Sequence, residues 1–330
     1  MMTLPSCALR ALLPLALCAA SAVPVTVSAQ RDFPNRPVRV IVSSAAGGGS
    51  DFIVRPVVAR MGDSLGQTFV VDNRAGASGI IAMEMVAKAA PDGYTLLLGT
   101  IGNFASNTAL HAKLPFDPIR DFQPLSKLVD SPFLMSVHPS VPANNLKEFI
   151  GWARANPGKV TFSSFGIGSY SHLLGEYFNQ RTGTQMLHVP YKGSAPATAD
   201  QIAGHVLVAF DSTQSQGAHI RAKRLRGLGI GTSTRVATLP EVPTFAEAGL
   251  PDFEALAWWG LFAPARTPPP IVRTLHGEIV KALAHPEVRE RLEALGAIPI
   301  GNTPEAFAAQ IKASIELQTR IARAGNIRAE

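Results

Sequence analysis

The chain has 330 residues, 46% of them hydrophobic and 16% charged, with a net charge of +6. That balance describes a globular protein of one large domain or two ordinary ones, and it excludes a disordered chain. The basic residues are dispersed, with Arg221 to Arg226 the largest cluster and no basic stripe interleaved with aromatics, which excludes a nucleic-acid partner.

Met1 to Arg10 leads into a mostly apolar run, Ala11 to Val27, and then into the small residues of Val27-Ser28-Ala29. That layout predicts a secretory signal peptide over residues 1–29. A transmembrane anchor fits less well, because the run is short, is broken by Pro14 and Pro24, and lacks a charged cytoplasmic flank. Cys18 follows Leu15-Ala16-Leu17, and the bulky Leu17 argues against lipoprotein processing there. Both cysteines, Cys7 and Cys18, fall in this leader, so the mature chain from Gln30 has none. Zinc–thiolate sites and cysteine nucleophiles are thereby excluded. A chain of this size can bury a large core without disulfides.

The mature chain reads as strand, turn and helix, repeated. Val38 to Val42 is a short β-branched run closed by glycines, and Phe52 to Leu65 carries Val54, Val58, Met61 and Leu65 at helical spacing. Pro56 suits that helix only in its first turn. Phe69 to Val71 and Tyr94 to Leu98 read as strands, Gly79 to Ala89 as a helix, and Pro91-Asp92-Gly93 as a turn. A second set starts near Val129. Its helices are Leu146 to Ala155 and Ser171 to Arg181. Its strands are Val160 to Ser163, Met186 to Val189, Val206 to Phe210 and Leu225 to Ile230. The tail is helical over Ile271 to Leu283, Glu287 to Leu295 and Pro304 to Ile321, with prolines at two of the starts. Such alternation indicates an α/β fold with mostly parallel sheet. Val38 to Leu65 echoes Val160 to Arg181, each being strand, glycine loop and helix. Two lobes facing across a cleft would follow.

The first of these loops, Ser43-Ser44-Ala45-Ala46-Gly47-Gly48-Gly49-Ser50-Asp51, suits an anion, because glycine lets the backbone approach and helix-start amides point outward. It equally suits a plain turn capped by Ser50 or Asp51. It is neither a Walker loop nor a dinucleotide fingerprint. Ser163-Ser164-Phe165-Gly166-Ile167-Gly168-Ser169 is a second loop of the same kind. Gly99-Thr100-Ile101-Gly102-Asn103 and Phe210-Asp211-Ser212-Thr213 also follow strands, where open α/β sheets bind ligands. Asp211 suits a ligand donor or a helix cap. No Gly-x-Ser-x-Gly elbow or His-Glu-x-x-His occurs, and the eight histidines lack metal-ligand spacing. His172 reads as structural, and Trp258 and Trp259 as core and inter-lobe packing. No catalytic residue, metal or cofactor is expected.

Six motifs then carry a resemblance. They are Phe33-Pro34-Asn35-Arg36-Pro37, Asp72-Asn73-Arg74-Ala75-Gly76-Ala77, Ala90-Pro91-Asp92-Gly93-Tyr94-Thr95, Leu114-Pro115-Phe116-Asp117-Pro118, His188-Val189-Pro190-Tyr191-Lys192-Gly193 and Leu239-Pro240-Glu241-Val242-Pro243-Thr244. In order and spacing the chain resembles the Bug-type, tripartite tricarboxylate transporter solute-binding proteins from about Phe33 to near its C-terminus. The resemblance implies a two-lobed periplasmic binding protein of the type II, Venus-flytrap class, with a mostly parallel sheet in each lobe and two crossing strands as hinge. Leu128 to Val137 and Phe253 to Phe262 are the expected crossings, with lobe 1 over 30–129 and 259–330 and lobe 2 over 130–258.

It also implies a small organic acid as ligand: a dicarboxylate, a tricarboxylate, an acidic amino acid or an aromatic acid. Ser43 to Gly48 match the first ligand loop, giving Ser43, Ala46, Gly47 and Gly48, and Thr100 to Asn103 match the second. Gly166 to Ser169 match the opposite lobe, giving Gly166, Gly168 and Ser169, and Tyr191 to Ser194 with Asp211 match the remaining wall, giving Tyr191, Gly193 and Asp211. Two departures reshape the pocket. Ser43-Ser44-Ala45-Ala46 stands where the family carries prolines and an aromatic, and Phe165 stands where relatives carry a small residue. Solute capture by a monomer for a membrane permease is the expected role. Input to a membrane sensor kinase is the alternative, and a periplasmic enzyme using Asp211 or His172 as base is a third.

Overall fold

The computed structural model describes residues 33–44, 46–47 and 49–328. The expected leader with Cys7 and Cys18 lies outside the described residues, as do Ala45 and Gly48. Among the described residues no helix is long and apolar enough to cross a membrane.

The strands are β1 (Val38–Val42), β2 (Phe69–Asn73), β3 (Thr95–Thr100), β4 (Phe122–Val137), β5 (Thr161–Ser164), β6 (Leu187–Pro190), β7 (Val208–Ser212), β8 (Arg226–Ile230), β9 (Leu256–Pro264) and β10 (Ile298–Pro299). The helices are α1 (Gly49–Leu65), α2 (Ile80–Ala87), α3 (Asn107–Leu110), α4 (Leu146–Ala155), α5 (Tyr170–Thr182), α6 (Ser194–Ile202), α7 (Thr213–Arg221), α8 (Pro269–Ala284), α9 (Pro286–Ala294) and α10 (Pro304–Ala324). The strands join along one path, β2-β1-β3-β9-β4-β7-β5-β6, with β8 and β10 also pairing β4.

Each end of that path is a parallel trio. β1 lies between β2 and β3, and β5 between β6 and β7. The echo in the sequence therefore falls on the two middle strands, whose loops open at the carboxyl edge of each trio. All pairings of β9 and β4 are antiparallel.

β4 belongs to both halves. Up to Pro132 it pairs with β9, and from Phe133 it pairs with β7. Proline has no N–H to offer a ladder, so it is tolerated where pairing is interrupted. Pro132 stands at that handover. A second crossing lies just before β9, where Ala255 donates to Gly231 and accepts from Phe133 N–H at 2.8 Å. Both coincide with the expected crossings, although β4 begins already at Phe122. Trp258 is buried with Phe104, Phe262 and Phe307, and the Phe104 and Phe262 rings stack at 4.2 Å.

The start of α1 at Gly49 corrects one expectation, because Pro56 then lies inside the helix rather than in its first turn. Its missing N–H frees the carbonyl of Phe52, an exposed residue where water can replace the bond.

Lys127 and Asp130 form an ion pair of 2.7 Å within β4, with both side chains under a tenth exposed. Burial pushes the Asp130 carboxyl up, against the Lys127 ammonium that pulls it down. Removing one partner strands a buried charge. Lys127→Met should therefore cost about 3–5 kcal/mol, and adding Asp130→Asn should recover a large part of it. Urea midpoints at unchanged slope are the measurement; an unaltered midpoint in Lys127→Met would refute the account.

Candidate functional site

The loop after β1 is braced from below. Asp51, 4% exposed, accepts from Gly47 N–H at 3.1 Å, Arg55 Nε at 2.8 Å and Asn73 Nδ2 at 3.1 Å. These donors, Arg55 foremost, hold its carboxyl at about 2 despite burial. Asn73 also donates to the Ser44 carbonyl at 3.0 Å, and the Trp259 indole N–H to Ser50 Oγ at 2.9 Å.

Asn103, buried in a π-helical turn after β3, ties three segments together. Its Oδ1 accepts from Ser43 Oγ at 2.9 Å and from Thr100 N–H at 3.2 Å, and its Nδ2 donates to the Ser78 carbonyl at 3.2 Å. Asn107 Nδ2 donates to the same carbonyl at 3.0 Å. Ser78 lies in a turn where Gly76, Ala77, Ser78 and Gly79 all take positive φ. At Gly79 a Cβ would collide with the Asn103 amide, so only glycine lets that amide reach its carbonyl.

The loop after β5 is held by two imidazoles. Gly168 N–H donates to His172 Nδ1 at 3.0 Å, so that nitrogen is the unprotonated one. His188 Nε2 meets Ser164 Oγ at 2.6 Å, and Gly166 N–H donates to the same hydroxyl at 3.2 Å. The two rings stack at 3.6 Å and 9°. Burial, joined for His172 by its neighbour His188, lowers both to about 4. Ser169 caps α5 by accepting from His172 N–H at 3.3 Å.

These two regions face each other across a cavity of about 220 Å³. Asn103, Gly166, Gly168 and Ser169 line it. Ser43 and Thr100 reach it through Asn103, whereas Ala46 and Gly47 are exposed and do not line it. Gly48 lies outside the described residues. Tyr191 stands behind, its N–H on the Ser164 carbonyl and its hydroxyl on Asp200 at 2.9 Å; burial and Asp200 raise that phenol to about 12. Gly193 leads into α6. Asp211 is 2% exposed and joins two helix starts, accepting from Ser194 Oγ at 2.5 Å and Ser212 N–H at 2.6 Å. Burial pushes its carboxyl up to about 6, against those hydrogen bonds.

Ser78, Ser106 and Asn107 also line the cavity, and the sequence reading assigns none of them, whereas Ile167 belongs to the expected opposite-lobe loop. The paired glycines of Gly76-Ala77-Ser78-Gly79 were the available signal for the first. Expected free amides at Gly47, Gly166 and Gly168 instead donate to Asp51 of α1, to Ser164 and to His172 of α5 in this conformation.

The histidine pair sets a pH dependence. With folded pKa values of about 4 against an ordinary 6.5, the unfolded chain takes up protons first as pH falls. Their stabilising contribution is complete above about pH 6.5 and is lost through about pH 4. Asp211 acts with the opposite sign. The double variant His172→Gln, His188→Gln should flatten the acid-side fall of the urea midpoint, and a wild-type slope in that variant would disprove the role.

Residues 53–327 match the family described as tripartite tricarboxylate transporter family receptor. Protein BugT of Bordetella pertussis is 39% identical over 274 residues, covering 83% of this chain and 84% of BugT. Among solved structures, R. palustris Rpa4515 with adipate is 35% identical with a TM-score of 0.78, covering 90% of this chain and 99% of that one. MatC from Rhodopseudomonas palustris with bound malate is 34% identical with a TM-score of 0.74, covering 88% and 99%.

Proposed function

The chain belongs to the tripartite tricarboxylate transporter receptor family, and from that premise we propose that it captures a small organic carboxylate in the periplasm for a tripartite membrane permease. It is a binding protein and not an enzyme, as the receptors and binding proteins it matches are. One observation carries the reading: a cavity walled by helix-starting loops from both parallel trios, in an architecture shared with proteins holding adipate and malate.

Lobe 1 comprises residues 30–129 and 259–330, lobe 2 comprises 130–258, and the two crossings act as the hinge. The acid sits between the loop after β3 and the loop after β5, where Asn103, Gly166, Gly168 and Ser169 line the cavity, with the loop after β1, Tyr191, Gly193 and Asp211 supporting those walls without lining it. Closure needs only a higher affinity of the acid for the closed form. Export by the leader places the protein where it meets external solutes. A sensor kinase encoded beside the gene, in place of a two-component permease, would redirect the output without altering the capture.

Titration with dicarboxylates, tricarboxylates and aromatic acids should raise the melting temperature for at least one of them. Neither a shift nor a heat of binding across that panel would end the proposal. A second measurement locates the site. Gly168 has φ +76°, and a Cβ there would lie 2.5 Å from Leu110 Cδ1, another residue of the cavity wall. Gly168→Val should abolish binding while lowering stability by only about 1–3 kcal/mol, the cost of a strained backbone residue. Wild-type affinity in that variant would mean the acid binds elsewhere.

A further inference from the structure

The geometry points to a second binding site, for a small organic ammonium with an aryl-sized body, in a cavity between α5 and α10. This cavity measures about 170 Å³ and shares no lining residue with the one beside Asn103. One hydrogen bond spans the two. Ser106, which lines the first cavity, donates to Gln318 Oε1 at 2.7 Å, and Gln318 lines the second.

Hydrocarbon and aromatic rings make up most of its lining. Leu173 and Tyr177 come from α5, Leu317 and Ile321 from α10, and Leu256 and Trp258 from β9. Gln180 of α5 donates to the Ile321 carbonyl at 3.1 Å, which pins the two helices together beside the cavity. The polar ends of the aromatic side chains are already taken. Tyr170, also in the lining, donates to the Leu256 carbonyl at 3.1 Å, and the Trp258 indole donates to Ser314 Oγ at 3.2 Å. Arg181 donates to the Tyr177 hydroxyl at 2.8 Å. Ring and hydrocarbon are what remain for the body of a guest, and about 150 Å³ of such space holds a benzene-sized group.

Charge gives the cavity a preferred sign. Glu254 lines it, is exposed, and has neither a hydrogen bond nor an ion pair among the described residues. Asp130 feels the Glu254 charge, and its Oδ1 is buried without a partner, since Lys127 engages Oδ2. Burial first, then Asp130 and Glu254, push the Tyr170 phenol up, so both carboxylates bear on that wall. The nearby Arg181 guanidinium is held by Tyr177 and by the carbonyls of Pro251 and Asp252. An ammonium at the Glu254 rim gains a counter-charge and keeps part of its hydration. Its apolar body covers Tyr177, Leu256 and Leu317, which are only half-buried without it.

The test is calorimetric titration of the mature protein with benzylammonium chloride, and with benzyl alcohol as the uncharged counterpart of the same body. Benzylammonium should bind about threefold or more tighter than benzyl alcohol at low salt, and sodium chloride should shrink that preference. Glu254→Gln, a change at an exposed residue, should bring the two ligands level. Ala313 is an exposed residue of α10 that lines the cavity, so Ala313→Phe adds bulk there and should weaken both ligands several-fold. Absence of heat from benzylammonium, equal binding of the two, or a preference that survives in Glu254→Gln overturns the inference. Undiminished binding in Ala313→Phe overturns it as well. No organic acid enters these titrations, so their failure leaves carboxylate capture standing, and failure of the acid panel leaves this site standing.

Discussion

A strand shared by two sheets has to exchange its partners partway, and everything else in this molecule is arranged around that exchange. β4 gives its first half to β9 and its second half to β7 and β8. Because β9 in turn pairs with β3, each parallel trio is anchored to the same strand from opposite ends. The loops that open from β3 and β5 consequently confront each other rather than lying side by side on one edge. Pro132 marks the handover, and the ladder has least to lose there, since proline donates no hydrogen bond in any pairing.

The sequence made the trios legible and the joining strands less so. β-branched runs bounded by glycine mark β1 and β5, and the apolar spacing of Leu146 to Ala155 delimits α4 to the residue. β4 was harder: Pro124 interrupts its first half, where the pairing register shifts. α6 and α7 leave little trace in the sequence because Ser194–Ile202 and Thr213–Arg221 are short and contain few large apolar residues. Both begin beside Asp211, whose carboxylate accepts from Ser194 at one start and Ser212 at the other. That interaction joins residues 17 apart, which no local pattern records.

The site shows the same division. Glycine loops mark where backbone can approach a guest, and of the two loops read that way the one after β5 lines the cavity while the described residues of the one after β1 do not. What the pattern leaves open is which amides are already used. Asp51 takes Gly47 N–H, and His172 takes Gly168 N–H, so side chains beyond the loops decide how many donors remain for a ligand. The structural reading of His172 was sound in that respect. Its ring is a fixture of the loop, buried against His188, and its basicity is suppressed by that burial.

Placing neutral acceptors beneath the loops has a consequence for anion binding. A cation under either loop would attract a carboxylate through space, but it would also bind the loop carbonyls and water when the cavity is empty. Uncharged imidazole offers the backbone an acceptor without adding charge. The Asp51 carboxylate under the other loop is matched by Arg55. The field at the cavity therefore comes from oriented dipoles, whose strength depends on their staying oriented. That requirement explains the close bracing: Asn103 holds Ser43, Ser78 and Thr100 in one geometry, and Ser164, His172 and His188 hold the opposing loop in another. Rigid loops on a shared strand leave the hinge as the natural place for motion.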